Sequence, residues 1–473
     1  MRTLIFNPPF FDKGREGFIR EGRCEQSFSS FQYVMEPISL LSIAAVLEKN
    51  NFHVKFLDCM VEVMTLEDIK NYILEYNPAL IIVNVATATF LSDIKIIEAI
   101  KNFSLAHISA IGVHVSALPS EALKMAALDS VIRGEPELTA LELAKAVSDK
   151  IDLNSVDGLS FRNEEEIKHN RNRAFCENLD SLPFPARGLE RMGEYTLPVV
   201  NKPYTLIISS RGCPYNCIFC TAYIYYGRKL RLRSVSNIVE EIETVSMEFN
   251  VKYFTMWSDT FTLDKDFVVR FCDELLKRDL KIFWMCNSRA DKVDYELLMR
   301  MKKSGCMGIS FGVESGVQGI LDNAEKNITI SQIENAFRLC NLAGIQSLAH
   351  IIFGLPGETK KSINETIDFV IKIKPAYAQF YCAIPFPGTV FYRDAVKKGW
   401  LDTDDWSRFE LNQSIISTGA LSSRELSEAR KKAYRKFYLR PSYIFSRLRD
   451  IKTLKNAILT LKNGVNFIKK WIC

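Results

Sequence analysis

The chain predicts an α/β protein of two units in series: a doubly wound parallel sheet, then a partial (β/α)6 barrel of TIM type, with a helical C-terminal tail. Three observations carry this. Short apolar runs alternate with amphipathic helical segments from the first residues to about residue 147. The alternation breaks at about residues 151–200, where Pro183, Pro185 and Pro198 fall. It resumes at Tyr204 and runs through six more strand–helix units. The expected boundaries are therefore 1–150 for the first domain, 151–200 for a linker, 201–420 for the second domain and 421–473 for a basic helical C-terminal region.

In the first domain, strands are expected at 3–7, 54–58, 80–85, 108–112 and 130–133. Helices are expected at 37–50, 66–76, 92–103, 120–127 and 137–147. The first helix sets Leu40, Leu41, Ala44 and Leu47 on one face, and Asn77-Pro78 closes the second. Residues 80–85 are apolar almost without interruption, as in a strand covered on both faces. An open parallel sheet binds ligands at its carboxyl strand ends. That marks the loops 7–11, 58–60, 86–89, 112–118 and 134–136. No GxGxxG follows the first strand, so a dinucleotide is not expected. Residues 14–28 form a long, charged, Gly-rich loop able to close over a ligand. Its Cys24 is either an inert loop thiol or a ligand or redox group.

The linker should hold a short hairpin near 157–162. In the second domain, strands are expected at 205–209, 253–258, 281–286, 308–313, 347–353 and 377–383. Active groups should gather at their C-terminal ends.

Composition sets bounds. Of 473 residues, 47% are hydrophobic and 25% charged, as in soluble globular proteins. No apolar run is long enough to cross a bilayer, and the N-terminus lacks a signal-peptide pattern, so a cytoplasmic location is expected. Twelve cysteines in such a chain do not suggest a disulfide framework. Cys24, Cys59, Cys176, Cys272, Cys286, Cys306, Cys340, Cys382 and Cys473 are scattered, and most should act as small buried apolar residues.

The other three cysteines form CxxxCxxC in SSRGCPYNCIFCTA: Cys213, Cys217 and Cys220, just after the second domain's first strand. Three thiolates this close can hold three irons of a 4Fe–4S cubane, leaving the fourth open to a substrate or cofactor. Zinc and three buried structural cysteines are the alternatives, although zinc usually takes four N or S ligands and no histidine lies near. Gly212 and Pro214 favour a tight wrap, and Phe219 is placed to shield an inorganic core.

This loop, with an aromatic before its last cysteine, resembles the signature of radical S-adenosylmethionine (SAM) enzymes. Further segments share the resemblance, which implies the following roles. In YFTMWSDTF, Asp259 meets the amino group of SAM. In GCMGISFGVESG, Glu314 meets the ribose or methionine moiety. Lys326 stands where a base meets the carboxylate. NSR, with Ser288 at its centre, faces the ribose. His350 and IIFGLPGET flank adenine, and PFPGT follows the sixth strand. Each of these polar residues, read singly, is also compatible with a structural role at a strand end.

The first domain resembles the cobalamin-binding, Rossmann-like domain fused ahead of many radical SAM enzymes. FNPPF, PISLLSIAAVLEKNNFHVKFLD, IGVHVSALPSEAL and VIRGEPELTALEL carry the likeness, with Asn7, Gly112, His114, Gly134 and Glu135 as implied cofactor contacts. Together the two resemblances cover about residues 1–420. Two departures stand out. Ile111 replaces the first glycine of a GGxH loop, which would crowd the nucleotide tail. No DxHxxG offers a histidine to cobalt, and neither His53 nor His114 has that context. A domain that has lost its corrin is the alternative.

From Arg430 onward, thirteen Lys or Arg stand against Asp450, although the whole chain carries only +5. Beyond Pro441, apolar residues recur among the bases. This pattern is compatible with an anionic membrane surface or with a helix packed on the barrel. Nucleic acid is not expected.

The expected function is a cobalamin-dependent radical SAM enzyme that functionalises an unactivated carbon, by methyl transfer or by cyclisation or rearrangement. A non-catalytic cobalamin or iron–sulfur sensor is the alternative from another class. The expected partners are a small-molecule or lipid substrate and an electron donor such as flavodoxin or ferredoxin.

Overall fold

The computed structural model describes residues 1–10, 18–21, 26–27, 34–125, 127–164, 166–197 and 200–449. Cys24 and the tail from Asp450 lie outside the described residues.

The first sheet contains β1 (Arg2–Asn7), β2 (His53–Asp58), β3 (Leu80–Asn84), β4 (His107–Ile111) and β5 (Ser130–Ile132), in the order β2-β1-β3-β4-β5 and all parallel. Leu4, Ile5, Phe6 and Leu80 to Val83 are fully buried, so helices cover both faces. The sheet does not stop near residue 150. A hairpin, β6 (Leu159–Asn163) and β7 (Glu166–His169), adds antiparallel beyond β5. Leu159 and Phe161 bury their side chains in the first domain's core, which ties the start of the expected linker to this domain.

The second sheet runs β8 (Thr196–Leu197), β9 (Lys202–Ile208), β10 (Tyr253–Trp257), β11 (Phe283–Ser288), β12 (Cys306–Glu314), β13 (Gln346–Phe353) and β14 (Tyr377–Cys382), in sequence order. Strands β9 to β14 are parallel, β8 is an antiparallel edge, and β8 does not pair with β14. It is a partial barrel. β11 starts two residues later than its apolar run suggests, because Leu280 and Ile282 close the preceding turn onto Leu275 and Leu280 carbonyls. Residues alternate along each strand: Ile309, Phe311 and Val313 are buried in the helix-covered core, whereas Gly308, Ser310 and Gly312 are half-buried on the concave face.

The helix Ser423–Tyr438 covers β14. Arg430 Nε donates to the Phe380 carbonyl at 2.8 Å, and Ala378 N donates to Tyr438 Oη at 3.0 Å. These bonds satisfy backbone groups that an edge strand would leave open. Arg430, Tyr434 and Phe437 are buried there. For residues 430–438 the structure therefore shows the second alternative, a helix packed on the barrel. No helix among the described residues is long and apolar enough to cross a membrane.

The domains are joined by buried charge. Arg187, in the segment between them, is 2% exposed. Its Nε meets Glu36 Oε1 at 2.9 Å, and its Nη1 meets Glu241 Oε1 at 2.8 Å. Glu36 precedes the first helix of the first domain, and Glu241 lies on a barrel helix. Removing one partner of such a buried set strands the other charges. Arg187→Met is expected to lose on the order of 3–5 kcal/mol, read as a lowered midpoint in urea unfolding.

Candidate functional site

The cysteine loop leaves the short strand Ser210–Arg211 and enters the helix Ala222–Tyr226. Gly212 holds φ +85°, and a Cβ there would lie 2.1 Å from the Lys229 carbonyl oxygen, so no side chain fits. The loop is pinned from both sides: Ile218 N donates to the Ala324 carbonyl at 3.2 Å, and Phe391 N donates to the Ile218 carbonyl at 3.0 Å. Cys213, Cys217 and Cys220 are half-buried, unlike Cys272, Cys286, Cys306, Cys340 and Cys382, which sit in the core. They are not structural core thiols. Among the described residues no three His, Cys, Asp or Glu side chains close around one ion. A closed zinc site needs that convergence, whereas a cubane takes one thiolate at each of three irons. Phe219 is partly buried and packs on the core beneath the loop.

Two cations stand beside the thiols. Lys326 is buried, and its Nζ donates to Glu314 Oε1 at 2.7 Å. Burial disfavours its charge, but Glu314 and then Cys217 outweigh that and hold its pKa above the usual lysine value. Burial pushes the Cys217 thiol up, and Lys326 opposes the shift. Glu314 ends β12 with φ +63°, after a register shift against β13. A Cβ on Gly312 would lie 2.4 Å from Glu314 Oε1 and 2.7 Å from Lys326 Nζ, so this glycine makes room for the pair. The Arg289 guanidinium lies 3.6 Å from the centroid of the Tyr215 ring, inside the cysteine loop. Arg289 Nη1 is buried and has no hydrogen-bond partner among the described residues.

The first domain closes over this region. Arg211, one residue before Gly212, is 3% exposed and is gripped by both carboxylate oxygens of Glu137. Glu135 meets Arg231 at 2.7 Å and Arg211 at 3.5 Å. Glu135 therefore serves domain docking, a role its motif did not suggest. Between the domains lies a cleft of about 750 Å³, open solvent included. The first domain contributes Arg20, Glu21, Ser39, Asn84, Gly112 and Val113 to its walls. From the barrel come Thr221, Tyr225, Tyr226, Trp257, Asp259 and Asn287, among others. Gly112, at φ +134°, would place a Cβ 2.0 Å from the Val85 carbonyl oxygen. Burial pushes the Glu21 carboxyl up to about 7, and it accepts a hydrogen bond from Ser39 Oγ.

The structure thus brings Gly112 and Asp259 to the cleft, and Glu314 and Lys326 to the loop beside it. Other expected residues stand elsewhere. Ser288 Oγ donates to the Arg289 carbonyl at 3.0 Å and meets Thr262 Oγ1, while its neighbour Asn287 faces the cleft. Asn7 Nδ2 donates to Asp58 Oδ1 at 2.8 Å, in a buried group completed by Tyr195. Gly134 N donates to Ser116 Oγ at 3.1 Å, and its Cβ direction faces the Tyr225 carbonyl at 3.9 Å. His350 lies on the concave face of β13 beside Tyr381. His114 is fully buried between Phe90 and Trp406, its ring centroid 4.3 and 5.0 Å from theirs, and is not among the cleft residues. Ile111 is buried in the first domain's core. Sequence reasoning singled out the segments that hold Arg20, Glu21 and Trp257 without naming these residues, and it did not name Arg211, which adjoins the cysteine motif.

Residues 207–370 match the family model of the Radical SAM superfamily, and residues 28–144 that of the B12 binding domain. A protein of Pyrococcus horikoshii named "Uncharacterized methyltransferase PH0819" is 30% identical over 86% of this chain and 89% of its own length. The chain belongs to the radical SAM superfamily. It is an enzyme of that superfamily with a B12-binding domain ahead of the radical SAM domain. An anaerobic magnesium-protoporphyrin IX monomethyl ester cyclase of Rubrivivax gelatinosus is 26% identical over 82% of this chain and 71% of that protein. The radical SAM methyltransferase TsrM of Kitasatospora setae, solved with cobalamin and a 4Fe–4S cluster, shares the fold. Its TM-score is 0.72 at 17% identity, over 93% of this chain and 89% of that one.

Two outcomes follow from these contacts. Gly212→Ala should lower iron after anaerobic reconstitution about as far as Cys217→Ala does, measured as iron per chain. Burial holds His114 at about 3, below its ordinary value of about 6.5. The unfolded chain therefore takes up a proton that the folded chain refuses, and stability falls as pH drops from 6.5 toward 3. His114→Phe should remove about 2 kcal/mol of that loss at pH 5, read as unfolding midpoints at pH 7.5 and pH 5.

Proposed function

We propose that this enzyme is a cobalamin-dependent methyltransferase acting on an unactivated carbon of a small molecule. The observation that carries the reading is the single cleft walled by the binding edge of the first sheet and by the residues around the cysteine loop. When bound, the cluster supplies the electron that splits SAM into methionine and a 5′-deoxyadenosyl radical, and the corrin supplies the methyl group.

The chain's own residues hold and shield these groups. Cys213, Cys217 and Cys220 would hold the cluster through their thiolates. Lys326 and Arg289 bring positive charge to an anionic cluster and to the carboxylate of SAM. Glu314 orients Lys326, and Asp259 is positioned for the amino group. Gly112, required by the close Val85 carbonyl, brings the first domain's backbone to the wall of the cleft. Trp257, Tyr225 and Tyr226 exclude water from the radical. An electron donor such as flavodoxin or ferredoxin would reduce the cluster.

The relative from Pyrococcus, named as a methyltransferase, and the fold of TsrM support methyl transfer. The likeness to the Rubrivivax cyclase favours a second reading, a ring closure without methylation.

The test uses anaerobically reconstituted holoenzyme, a small-molecule extract and SAM labelled in its methyl group. Methyl transfer predicts label in a product, with S-adenosylhomocysteine and 5′-deoxyadenosine both released. 5′-Deoxyadenosine with unlabelled product would support the cyclase instead, and no 5′-deoxyadenosine would support a sensor. Cys217→Ala should abolish 5′-deoxyadenosine.

A further inference from the structure

We propose that the end of the barrel opposite the cleft is a docking surface for an anionic lipid bilayer.

Topology defines this end. Strands β9 to β14 are parallel, and the helices between them return the other way. Strand N-termini and helix C-termini therefore share one end of the barrel. The cleft residues Trp257, Asp259 and Asn287 stand at the other, where β10 and β11 finish. Contacts tie the strand starts together. The rings of Tyr253 and Phe283, which begin β10 and β11, are stacked with centroids 5.2 Å apart. Tyr443 Oη donates to the Ala376 carbonyl at 3.1 Å, just before β14, and so brings the helix Pro441–Arg449 to the same end.

Apolar side chains are exposed here. Beyond residue 240, nine large hydrophobic side chains are exposed among the described residues. Six of them belong to this end: Met247, Phe283, Leu342, Leu439, Ile444 and Phe445. Met247 and Leu342 lie in the last turns of their helices, and Leu439 follows the helix Ser423–Tyr438. Met247, Leu342 and Phe445 are more than half exposed.

The same turns carry positive charge. Lys252, Lys302, Lys303 and Lys374 precede β10, β12 and β14, are exposed, and make no ion pair among the described residues. Glu274 and Asp279 are taken up by Lys277, Arg278 and Lys281, which leaves Glu248 to oppose them. Beyond the helix Pro441–Arg449, the sequence of residues 450–473 sets five lysines against Asp450.

Lysines at helix C-termini suit the helix dipole, but the dipole does not account for exposed Met247, Leu342 and Phe445. The core of a protein–protein interface is depleted in lysine. An anionic bilayer takes both kinds of group, apolar side chains at the acyl boundary and lysines at the phosphates. Docked this way, the barrel holds its cleft away from the bilayer. The surface positions the enzyme and does not deliver substrate.

The test is sedimentation of the full, anaerobically reconstituted chain with vesicles of phosphatidylcholine, alone or mixed equally with phosphatidylglycerol. The protein should sediment with the mixed vesicles and stay in solution with phosphatidylcholine, and added salt should weaken the binding. Leu342→Ser and Phe445→Ser should each weaken it by at least about threefold. Lys302→Glu combined with Lys303→Glu should weaken it by roughly tenfold. Tyr295→Ser changes an exposed side chain at the start of its helix, on the cleft side, and should leave binding unchanged. Unchanged 5′-deoxyadenosine release shows that each variant is folded. Equal binding to both lipids overturns the proposal. So does binding that withstands the Leu342 and the Lys302 with Lys303 changes, which would assign the attraction to residues 450–473 alone. Absence of vesicle binding overturns it in favour of a protein partner.

Discussion

The structure depends on a buried set of ion pairs at the root of the cysteine loop. Arg211 and Arg231 come from the strand pair that frames the loop, and Glu135 and Glu137 from the carboxyl edge of the first sheet. Charges this deep cannot exchange water for a partner at no cost, so each arginine requires its carboxylate and each domain requires the other. The consequence is positional. The edge of the doubly wound sheet where a ligand binds is held over the loop where a cluster binds, and one cleft serves both.

Arg187 repeats the device at a second place in the interface. One guanidinium spans Glu36 of the first domain and Glu241 of the barrel. Ring packing joins the domains as well, with Trp406, which follows the barrel sheet, set edge-on against His114 of the first domain. The interface is built from both kinds of contact, which suits a cleft that must keep two large cofactors in a fixed relation while excluding solvent.

Much of this was legible in the sequence, because the pattern of apolar runs determines which segments become strands, and because CxxxCxxC is a local arrangement. Gly212, Phe219 and the three cysteines needed no tertiary information. Glu314 and Lys326 were legible as members of a motif, but their pairing depends on a register shift between β12 and β13 that no local signal encodes. His114 and Glu135 show the opposite limit. Each stands in a segment of the expected kind, yet one is enclosed by Phe90 and Trp406 and the other is taken up by arginines some 76 and 96 positions away. Contacts across such distances follow from domain docking, which sequence periodicity does not describe. The hairpin β6–β7 was visible as a hairpin, but its membership of the first sheet depends on the open edge of β5.

The central claim is that cluster and corrin share one cleft. The most direct measurement is electron paramagnetic resonance of enzyme loaded with both, the cluster reduced by one electron and the cobalt in its Co(II) state. The account predicts a resolved dipolar coupling between the two spins, weakened when the Arg211 ion pairs are broken. Two superposed, independent spectra in the intact protein would contradict it.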